Sequence, residues 1–196
     1  MSREQEYFDR LATDWDDLRV ADPEKIRRLM SRTGLRPGDR VLDAGCGTGI
    51  LVPYIRKAVG GAGQITAVDF SASMIALAAA KYKDEPGVRF LTADIMDFQP
   101  DTGFDAIICF NFFPHVADKP AFLARMRGML AAGGGLVIMH DISRDSVNGV
   151  HAGADAVKDD RLPPGEGTAG MLAAAGFRVG EVVDNDELYF VKGCKS

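Results

Sequence analysis

Short apolar runs alternate with stretches of helical periodicity along most of this chain. The runs predict strands at residues 41–45, 64–69, 88–93, 104–110 and 136–140. Between them, apolar positions three and four residues apart predict helices at residues 50–59, 72–83 and 119–130, the last ending at the glycine run 133–135. This alternation predicts a parallel sheet with helices on both faces, joined by right-handed crossovers.

The C-terminal part of the chain follows a different pattern. A short helix is predicted to begin after Thr168 and to end at Gly176. Two apolar runs, residues 177–183 and 188–192, are then joined by four polar residues and predict an antiparallel hairpin. Together the elements predict an α/β fold with three layers, in which a doubly wound, mostly parallel seven-stranded sheet ends in this hairpin.

Two segments lie outside this alternation. Residues 3–19 carry apolar side chains at helical spacing, which predicts an amphipathic helix ahead of the sheet. Residues 143–168 show weak periodicity and contain the turn-rich sequence PPGEG, which predicts a long loop. This loop leaves the carboxyl end of a central strand, and loops of such length in a compact domain are usually functional.

The segment VLDAGCGTG, residues 41–49, carries the most specific signal. Gly45, Gly47 and Gly49 follow an apolar strand, and glycines in such a turn allow a ligand to approach the backbone closely. The dinucleotide-binding pattern has its third glycine one position later, where this chain has Ile50. The loop is therefore predicted to bind a ligand other than a dinucleotide.

Two aspartates near this loop indicate the charge of the ligand. Asp43 lies where a pyrophosphate would be repelled, which favours a ligand with a positive charge and no phosphate. Asp69 ends the next apolar strand and is placed to bind the hydroxyl groups of a ribose. The two residues together predict a nucleoside cation.

Four segments occur in a characteristic order: VLDAGCGTG, then ITAVDFS, TADIMDF and FDAIICFNFFPHV, the last starting at Phe104. In this order and at this spacing they resemble the class I S-adenosylmethionine-dependent methyltransferases, over roughly residues 1–140. The resemblance implies a Rossmann-like sheet and methyl transfer from S-adenosylmethionine. The N-terminal sequence FDRLATDWDDL, with DAGCGTG and VDFS, is similar to the quinone C-methyltransferases and the related small-molecule branch.

The resemblance also implies a set of cofactor-binding residues in the glycine loop, at the strand ends and in the N-terminal helix. They are Tyr7, Asp43, Ala44, Gly45, Cys46, Gly47, Gly49, Asp69, Phe70, Met74, Asp94, Ile95, Phe110 and Asn111. Asp43 would neutralise the amino group of the methionine part, and Asp69 would bind the ribose hydroxyls. Phe70 and Met74 would flank the adenine. Asp94 and Ile95, which follow the third predicted strand, would contact the edge of the adenine.

An N-terminal helix often folds over the cofactor in the resembling family. By that likeness residues 1–20 form a lid helix, and Tyr7, Phe8 and Trp15 contact cofactor or substrate. The alternative is a helix packed on the outside of the domain.

The segment FNFFPH, residues 110–115, would line the reacting methyl group in the family. It lacks the DPPY or NPPY pattern that is used for amino groups of nucleic bases and proteins. It indicates instead an aromatic-lined pocket for a small organic acceptor.

The three histidines of the chain, His115, His140 and His151, all map to the same rim of the predicted sheet. Any of them, with Asp141 beside them, is a candidate for the catalytic site, because histidine takes up protons near neutral pH. Alternatively, the three histidines bind a divalent metal that activates the acceptor. A purely structural role is the third interpretation.

Composition narrows these possibilities. A chain of 196 residues with 46% hydrophobic residues predicts one domain over residues 1–196, with residues 143–168 as its acceptor-side loop. A net charge of −5, without a run of Lys or Arg, argues against a nucleic-acid partner. No apolar stretch has the length of a membrane span or a signal peptide, so a cytoplasmic location is expected. The three cysteines are scattered and fit neither a disulfide framework nor a CxxC metal site.

The sequence therefore predicts S-adenosylmethionine-dependent methyl transfer to a small-molecule acceptor. A metal-assisted methyltransferase that uses the three histidines is one alternative. A domain that binds S-adenosylmethionine without catalysis and serves regulation is another. No prediction of oligomeric state follows from the sequence.

Overall fold

A single mixed sheet forms the centre of the protein in this computed structural model, which describes residues 3–19 and 21–196. Its strands are β1 (Arg40–Ala44), β2 (Gln64–Asp69), β3 (Val88–Thr92), β4 (Phe104–Phe110), β5 (Leu130–His140), β6 (Phe177–Asp184) and β7 (Tyr189–Lys195). They lie in the order β3-β2-β1-β4-β5-β7-β6. The first five are parallel, and β7 is antiparallel to both β5 and β6. The predicted seven-stranded fold with its C-terminal hairpin is confirmed.

Helices cover both faces of this sheet. They are α1 (Arg3–Leu11), α2 (Trp15–Leu18), α3 (Pro23–Thr33), α4 (Val52–Val59), α5 (Ala72–Lys81), α6 (Lys119–Met129), α7 (Arg144–Ala152) and α8 (Gly165–Ala174). Asp22, Ser71 and Asp118 accept backbone hydrogen bonds at the starts of α3, α5 and α6, as N-cap residues do. In the described ranges no helix is both long and apolar enough to cross a membrane.

Two apolar layers hold the helices to the sheet. On one face, α6 and α8 pack through fully buried residues such as Phe122 and Leu172 against β4, β5 and β7. On the other face, α3 and α4 pack through residues such as Leu29 and Ile55 against β1 and β5. Since β1 and β4 are central in the sheet, their side chains are buried on both faces, as expected for strands of a parallel sheet.

The glycine run 133–135 lies inside β5 rather than between a helix and a strand, so the prediction of a strand at 136–140 alone is wrong. Pairing of β4 with β5 shifts between Phe104 and Ala106, which marks a β-bulge. A Cβ atom on Gly134 would lie 2.9 Å from the carbonyl oxygen of Phe104. Glycine is required there because two backbones approach closely, and not because a helix ends.

Of the loop predicted over residues 143–168, only residues 153–164 lack a helix or strand. Residues 144–152 form α7, which Ser143 caps by accepting a hydrogen bond from Ser146 N. The sequence of α7 holds glycine, asparagine and two valines, which are poor helix formers, but Val147 is buried in the core and fixes the helix there. Thr168 is not a cap: it is buried within α8, where its Oγ1 accepts a hydrogen bond from Tyr189 Oη at 2.7 Å.

The N-terminal helix is shorter than predicted. Helix α1 ends at Leu11, a 3₁₀ turn follows at residues 12–14, and α2 takes the chain to Leu18. Residues 1, 2 and 20 of the predicted lid helix lie outside the described residues.

The bulge in β5 gives a direct test of the fold. Gly134→Ala should lower the free energy of unfolding by about 1–3 kcal/mol, because the added methyl group must displace backbone carbonyls. Gly128→Ala is the matched control, since a Cβ atom at this exposed position of α6 meets nothing within 4 Å. It should raise stability by about 0.5–1 kcal/mol. Urea denaturation of both variants measures these changes, and equal effects of the two substitutions would contradict the assignment of the bulge.

Candidate functional site

The carboxyl ends of the parallel strands meet at one edge of the sheet, and the glycine loop after β1 lies at its centre. Gly45 has a φ of 72°, a left-handed conformation that favours glycine. Its N–H donates a hydrogen bond to the carbonyl oxygen of Val68, which ties the loop to β2. A Cβ atom on Gly45 would lie 2.2 Å from the ring of Phe112, so the aromatic ring is seated directly on the loop backbone.

Two buried carboxylates lie beside this loop. Both oxygens of Asp69 accept backbone hydrogen bonds, one from Gly47 N at 2.8 Å and the other from Ser71 N at 2.9 Å. Asp43 is 1% exposed, and its Oδ2 is buried with no hydrogen-bond partner among the described residues. Burial, with a smaller contribution from the charge of Asp69, raises the pKa of Asp43 to about 7. This edge of the site therefore favours a ligand that brings a positive charge.

A cavity of about 690 Å³ opens above this edge. Its lining includes the glycine loop, the ends of β2, β4 and β5, the N-terminal helices and α7. Two further buried polar atoms on its lining residues, Asn111 Oδ1 and His140 Nε2, lack a hydrogen-bond partner in the described part of the chain. Unpaired buried polar atoms are costly, so a ligand whose polar groups pair with them is favoured in this cavity.

Asn111 is held in an unusual conformation at the end of β4. Its φ is 55°, and among the described non-glycine residues it alone has a positive φ. Asn111 Nδ2 donates a hydrogen bond to Asp141 Oδ1 at 3.0 Å, and Arg19 Nη2 donates to the same oxygen at 2.9 Å. Such strain is found at functional sites, where neighbouring contacts enforce it.

The N-terminal helices lie across the cavity, and the alternative of packing on the outside of the domain is not what the structure shows. Tyr7, Phe8 and Trp15 all line the cavity. The ring edge of Phe8 contacts Trp15, and a tilted contact joins Phe8 to Phe70 after β2. The helices therefore form one wall of the cavity.

Polar contacts attach this wall to the two loops beside the buried carboxylates. Asp9 Oδ1 accepts hydrogen bonds from Ser71 Oγ and, at 3.3 Å, from Ser73 N. Asp16 accepts a hydrogen bond from Thr48 Oγ1 at 2.6 Å. Sequence reasoning missed both aspartates, because acidic residues on an amphipathic helix are usually solvated.

The three histidines all line the cavity, at different depths. The rings of His115 and His151 lie 4.9 Å apart, and Asp160, which sequence reasoning missed, contacts both of them. His140 is 2% exposed, with its ring edge against Tyr189. Burial lowers the pKa of His140 well below its usual range and also lowers the pKa of His151.

Within residues 3–19 and 21–196, no group of three or more His, Cys, Asp or Glu side chains is arranged to hold a metal ion. The alternative of a metal bound by His115, His140 and His151 therefore lacks a ligand set in this part of the chain.

Of the remaining candidates, most lie on the cavity wall. These are Asp43, Gly45, Cys46, Gly47, Asp69, Phe70, Met74, Asp94, Ile95, Phe110 and Asn111. Ala44, Gly49 and Asp141 do not line it. Ala44 is buried in the core, and Gly49 turns the chain into α4. Asp141 accepts hydrogen bonds from Asn111 and Arg19, which both line the cavity.

The sequence of this chain also matches known proteins. The family described as "Methyltransferase domain" matches residues 41–134. The chain is 33% identical over 141 residues to the ubiquinone/menaquinone biosynthesis C-methyltransferase UbiE of Teredinibacter turnerae, covering 67% of this chain and 57% of that protein. It is 32% identical over 111 residues to an uncharacterized methyltransferase of Mycobacterium tuberculosis, covering 56% of this chain and 54% of that protein. The chain thus spans about half the length of these curated relatives.

The fold is shared with a solved structure over nearly its whole length. A SAM-dependent methyltransferase from Aquifex aeolicus superimposes with a TM-score of 0.75 at 24% sequence identity, covering 98% of each chain. Residues 41–134 of this chain form a methyltransferase domain. This match accounts for the glycine loop, which lies in the matched range, and it confirms the resemblance found in the sequence.

The pKa of Asp43 predicts a stability effect in this protein without ligand. The folded protein holds a proton on Asp43 up to about pH 7, whereas the unfolded chain loses it near pH 4. The buried carboxyl therefore lowers the free energy of unfolding by an amount that grows from pH 4 to pH 7 and is constant above pH 7. Asp43→Asn should stabilise the protein, by about 2 kcal/mol more at pH 8 than at pH 5.5.

Urea denaturation at the two pH values measures this difference. The cost of burying the amide of the introduced asparagine is the same at both pH values, so it cancels. Asp94→Asn is the control, because Asp94 lines the same cavity but is exposed. An equal increase in the free energy of unfolding from Asp43→Asn at both pH values would contradict the raised pKa of Asp43.

Proposed function

We propose that this protein transfers the methyl group of S-adenosylmethionine to a small, largely apolar acceptor through a hydroxyl or enol group. The observation that carries the proposal is the unpaired Asp43 Oδ2, buried beside the glycine loop in a cavity that also contains Asn111 and three histidines. An ammonium group fits this position, because it supplies both the missing hydrogen-bond donor and the compensating charge.

The residues present fit S-adenosylmethionine. Asp43 would bind the amino group of its methionine part, and Asp69, whose oxygens keep further acceptor capacity, would bind the ribose hydroxyls. Phe70 and Met74 would flank the adenine, near Asp94 and Ile95 on the cavity wall. When bound, the sulfonium supplies an activated methyl group, so that the protein has chiefly to align the acceptor and take up its proton.

The acceptor end of the cavity is apolar and open at its mouth. Leu18 and Val150 line the cavity although they are 65% and 66% exposed. Among the described residues, Arg19 is the only lysine or arginine on the wall, and it is paired with Asp141. An uncharged ring with an apolar substituent suits this lining better than an anion. The relatives named for ubiquinone and menaquinone biosynthesis point to acceptors of the same character.

His115, His140 and His151 are the proposed groups at the acceptor oxygen. His140 stays neutral because burial lowers its pKa, so it is suited to hydrogen bonding with the acceptor and not to holding a full positive charge. The N-terminal helices and α7 would close the cavity and exclude water from the sulfonium.

The first test measures cofactor binding and methyl transfer with the same protein sample. Titration calorimetry should show binding of S-adenosylmethionine and S-adenosylhomocysteine. Radioactive methyl transfer should then occur to 1,4-dihydroxynaphthalene, and much less to 1,4-dihydroxy-2-naphthoate, which adds only a carboxylate. Absence of binding would refute the methyltransferase proposal. Binding without transfer to either compound would favour the non-catalytic alternative, and preference for the carboxylate would contradict the apolar acceptor.

Asp43 makes cofactor affinity dependent on pH. Because the pKa of Asp43 is about 7 without ligand, binding of an ammonium group should strengthen from pH 6 to pH 8 and release a proton. Asp43→Asn should weaken S-adenosylhomocysteine binding about tenfold to a hundredfold at pH 8, with a smaller pH dependence. Calorimetry in buffers of different ionisation enthalpy measures the affinity and the proton release. Asp155→Asn is the control for this measurement, because Asp155 is 87% exposed and does not line the cavity. An unchanged affinity of Asp43→Asn would remove Asp43 from the cofactor site.

A further inference from the structure

The side chain of Asn111 is held by a hydrogen-bonded network at the acceptor end of the cavity. Its Nδ2 donates to Oδ1 of Asp141, the residue directly after β5, at 3.0 Å. Arg19, directly after α2, donates to the same oxygen at 2.9 Å and compensates the charge of Asp141, which is 4% exposed. The N-terminal wall, the end of β4 and the end of β5 are therefore joined at this one carboxylate.

This network decides which end of the amide is left for a ligand. A carboxylate can only accept hydrogen bonds, so the NH₂ group of Asn111 has to face Asp141. The amide oxygen, Oδ1, is the atom that remains, and it is buried without a hydrogen-bond partner among the described residues. Because Asn111 lines the cavity, this oxygen matches a ligand that brings an O–H or N–H group.

The backbone holds the amide in the same place. Asn111 N donates a hydrogen bond to the carbonyl oxygen of Met139 in β5 at 3.0 Å. The positive φ of Asn111 is thus enforced from β5 twice, through its backbone and through its side chain. Asparagine tolerates this conformation better than most residues, so the position suits an amide whose orientation is fixed.

The position of Asn111 in the sheet favours the methyl acceptor as its ligand. Strand β4 lies between β1 and β5, whereas Asp69 ends β2 on the other side of β1. Phe110 is opposite Met139, so the next residues, Asn111 and His140, are neighbours on adjacent strands. His140 Nε2 is also buried and has no partner in the described part of the chain. Two such atoms side by side suit a hydroxyl group, which can donate to one and accept from the other.

We propose that Asp141 is a positioning residue, which holds the Asn111 amide so that Oδ1 accepts a hydrogen bond from a hydroxyl group of the methyl acceptor. This proposal rests on the proposed function. It makes Asn111 the residue that selects an acceptor with a hydroxyl group over a compound of the same shape without one. The second compound is disfavoured because it leaves a buried oxygen unpaired.

The orientation of the amide can be measured in the protein without any ligand. The asparagines of the chain are Asn111, Asn148 and Asn185, so their side-chain NH₂ signals in ¹⁵N-asparagine-labelled protein can be assigned by substitution. The Asn111 signal should exchange slowly with water, because Asp141 accepts one of its protons. Asp141→Ala should raise this exchange rate at least about tenfold.

Two further variants complete this measurement. Asp141→Asn should keep much of the protection, because Arg19 and Asn111 both donate to a single oxygen, which an amide can still provide. Asp145→Ala is the matched control, since Asp145 is also paired with an arginine near the end of β5 but is 84% exposed. It should leave the signal unchanged. The same exchange rate in the wild type and in Asp141→Ala would overturn the positioning role.

Discrimination between two ligands tests the consequence for specificity. In anaerobic equilibrium dialysis, the S-adenosylhomocysteine complex should bind 1,4-dihydroxynaphthalene about tenfold to a hundredfold more tightly than 1,4-dimethylnaphthalene, in which methyl groups replace the hydroxyls. Asp141→Ala should lower this ratio about tenfold by weakening only the binding of the diol. Asp141→Asn should restore part of the ratio, and Asp145→Ala should leave it unchanged.

A double substitution shows whether Asp141 acts through the amide. Asn111→Gly removes the amide, and glycine accepts the positive φ without strain. This variant should lose the preference for the diol by itself, and Asp141→Ala in the same background should cause no further loss. A further loss would overturn the action of Asp141 through Asn111.

Other outcomes would also contradict the proposal. Equal weakening of both naphthalenes in Asp141→Ala would indicate a general structural defect, and weaker binding of S-adenosylhomocysteine would place Asn111 at the cofactor. A wild-type complex that binds neither naphthalene, or shows no preference for the diol, would overturn the selection of a hydroxyl group.

The two proposals fail in different ways. A wild-type protein that shows the preference for the diol but transfers no methyl group to it would overturn the proposed function alone, because the exchange rate and the binding ratio are measured without transfer. Normal methyl transfer with a binding ratio insensitive to Asp141→Ala would overturn the role of Asp141 alone.

Discussion

Two buried carboxylates at the ends of neighbouring strands, Asp43 and Asp69, are the constraint on which the rest of the site depends. Two like charges in a region of low dielectric are unfavourable, so they need hydrogen bonds or a cation. Asp69 receives its hydrogen bonds from the N–H groups of Gly47 and Ser71. Asp43 is left with a buried oxygen that has no described partner. The same pair thus shapes the glycine loop and leaves one charge to be satisfied by a ligand.

The wall formed by the N-terminal helices depends on the same loops. Asp9 bonds to the start of α5, directly after Asp69, and Asp16 bonds to Thr48 in the glycine loop. A movement of this wall would therefore disturb the residues next to both buried carboxylates. Entry of a ligand to those carboxylates is therefore linked to the geometry of the two loops, through the hydrogen bonds of Asp9 and Asp16.

The sheet and the residues that line the cavity at the strand ends could be predicted because their sequence signals are local. Strand periodicity, Gly45 in its left-handed turn and a strand-end residue such as Asp69 are each recognisable within a few positions. Errors arose where tertiary packing overrides local preference. Helix α7 forms from poor helix formers because Val147 is buried, and the glycines of β5 serve a bulge where two strands approach closely.

The three histidines on the cavity wall were predicted, but the contact of Asp160 with His115 was not, for a physical reason that also bears on specificity. Asp160 lies in a segment without periodicity, and the contact follows only from the return of the chain to His115. Cofactor recognition has to place fixed charges at fixed strand ends, so the sheet itself can encode it. The proposed acceptor end is lined by α7, the segment after it and the N-terminal helices, whose positions the sheet does not dictate. A common methyl donor and divergent acceptors on one fold are the expected result of that division.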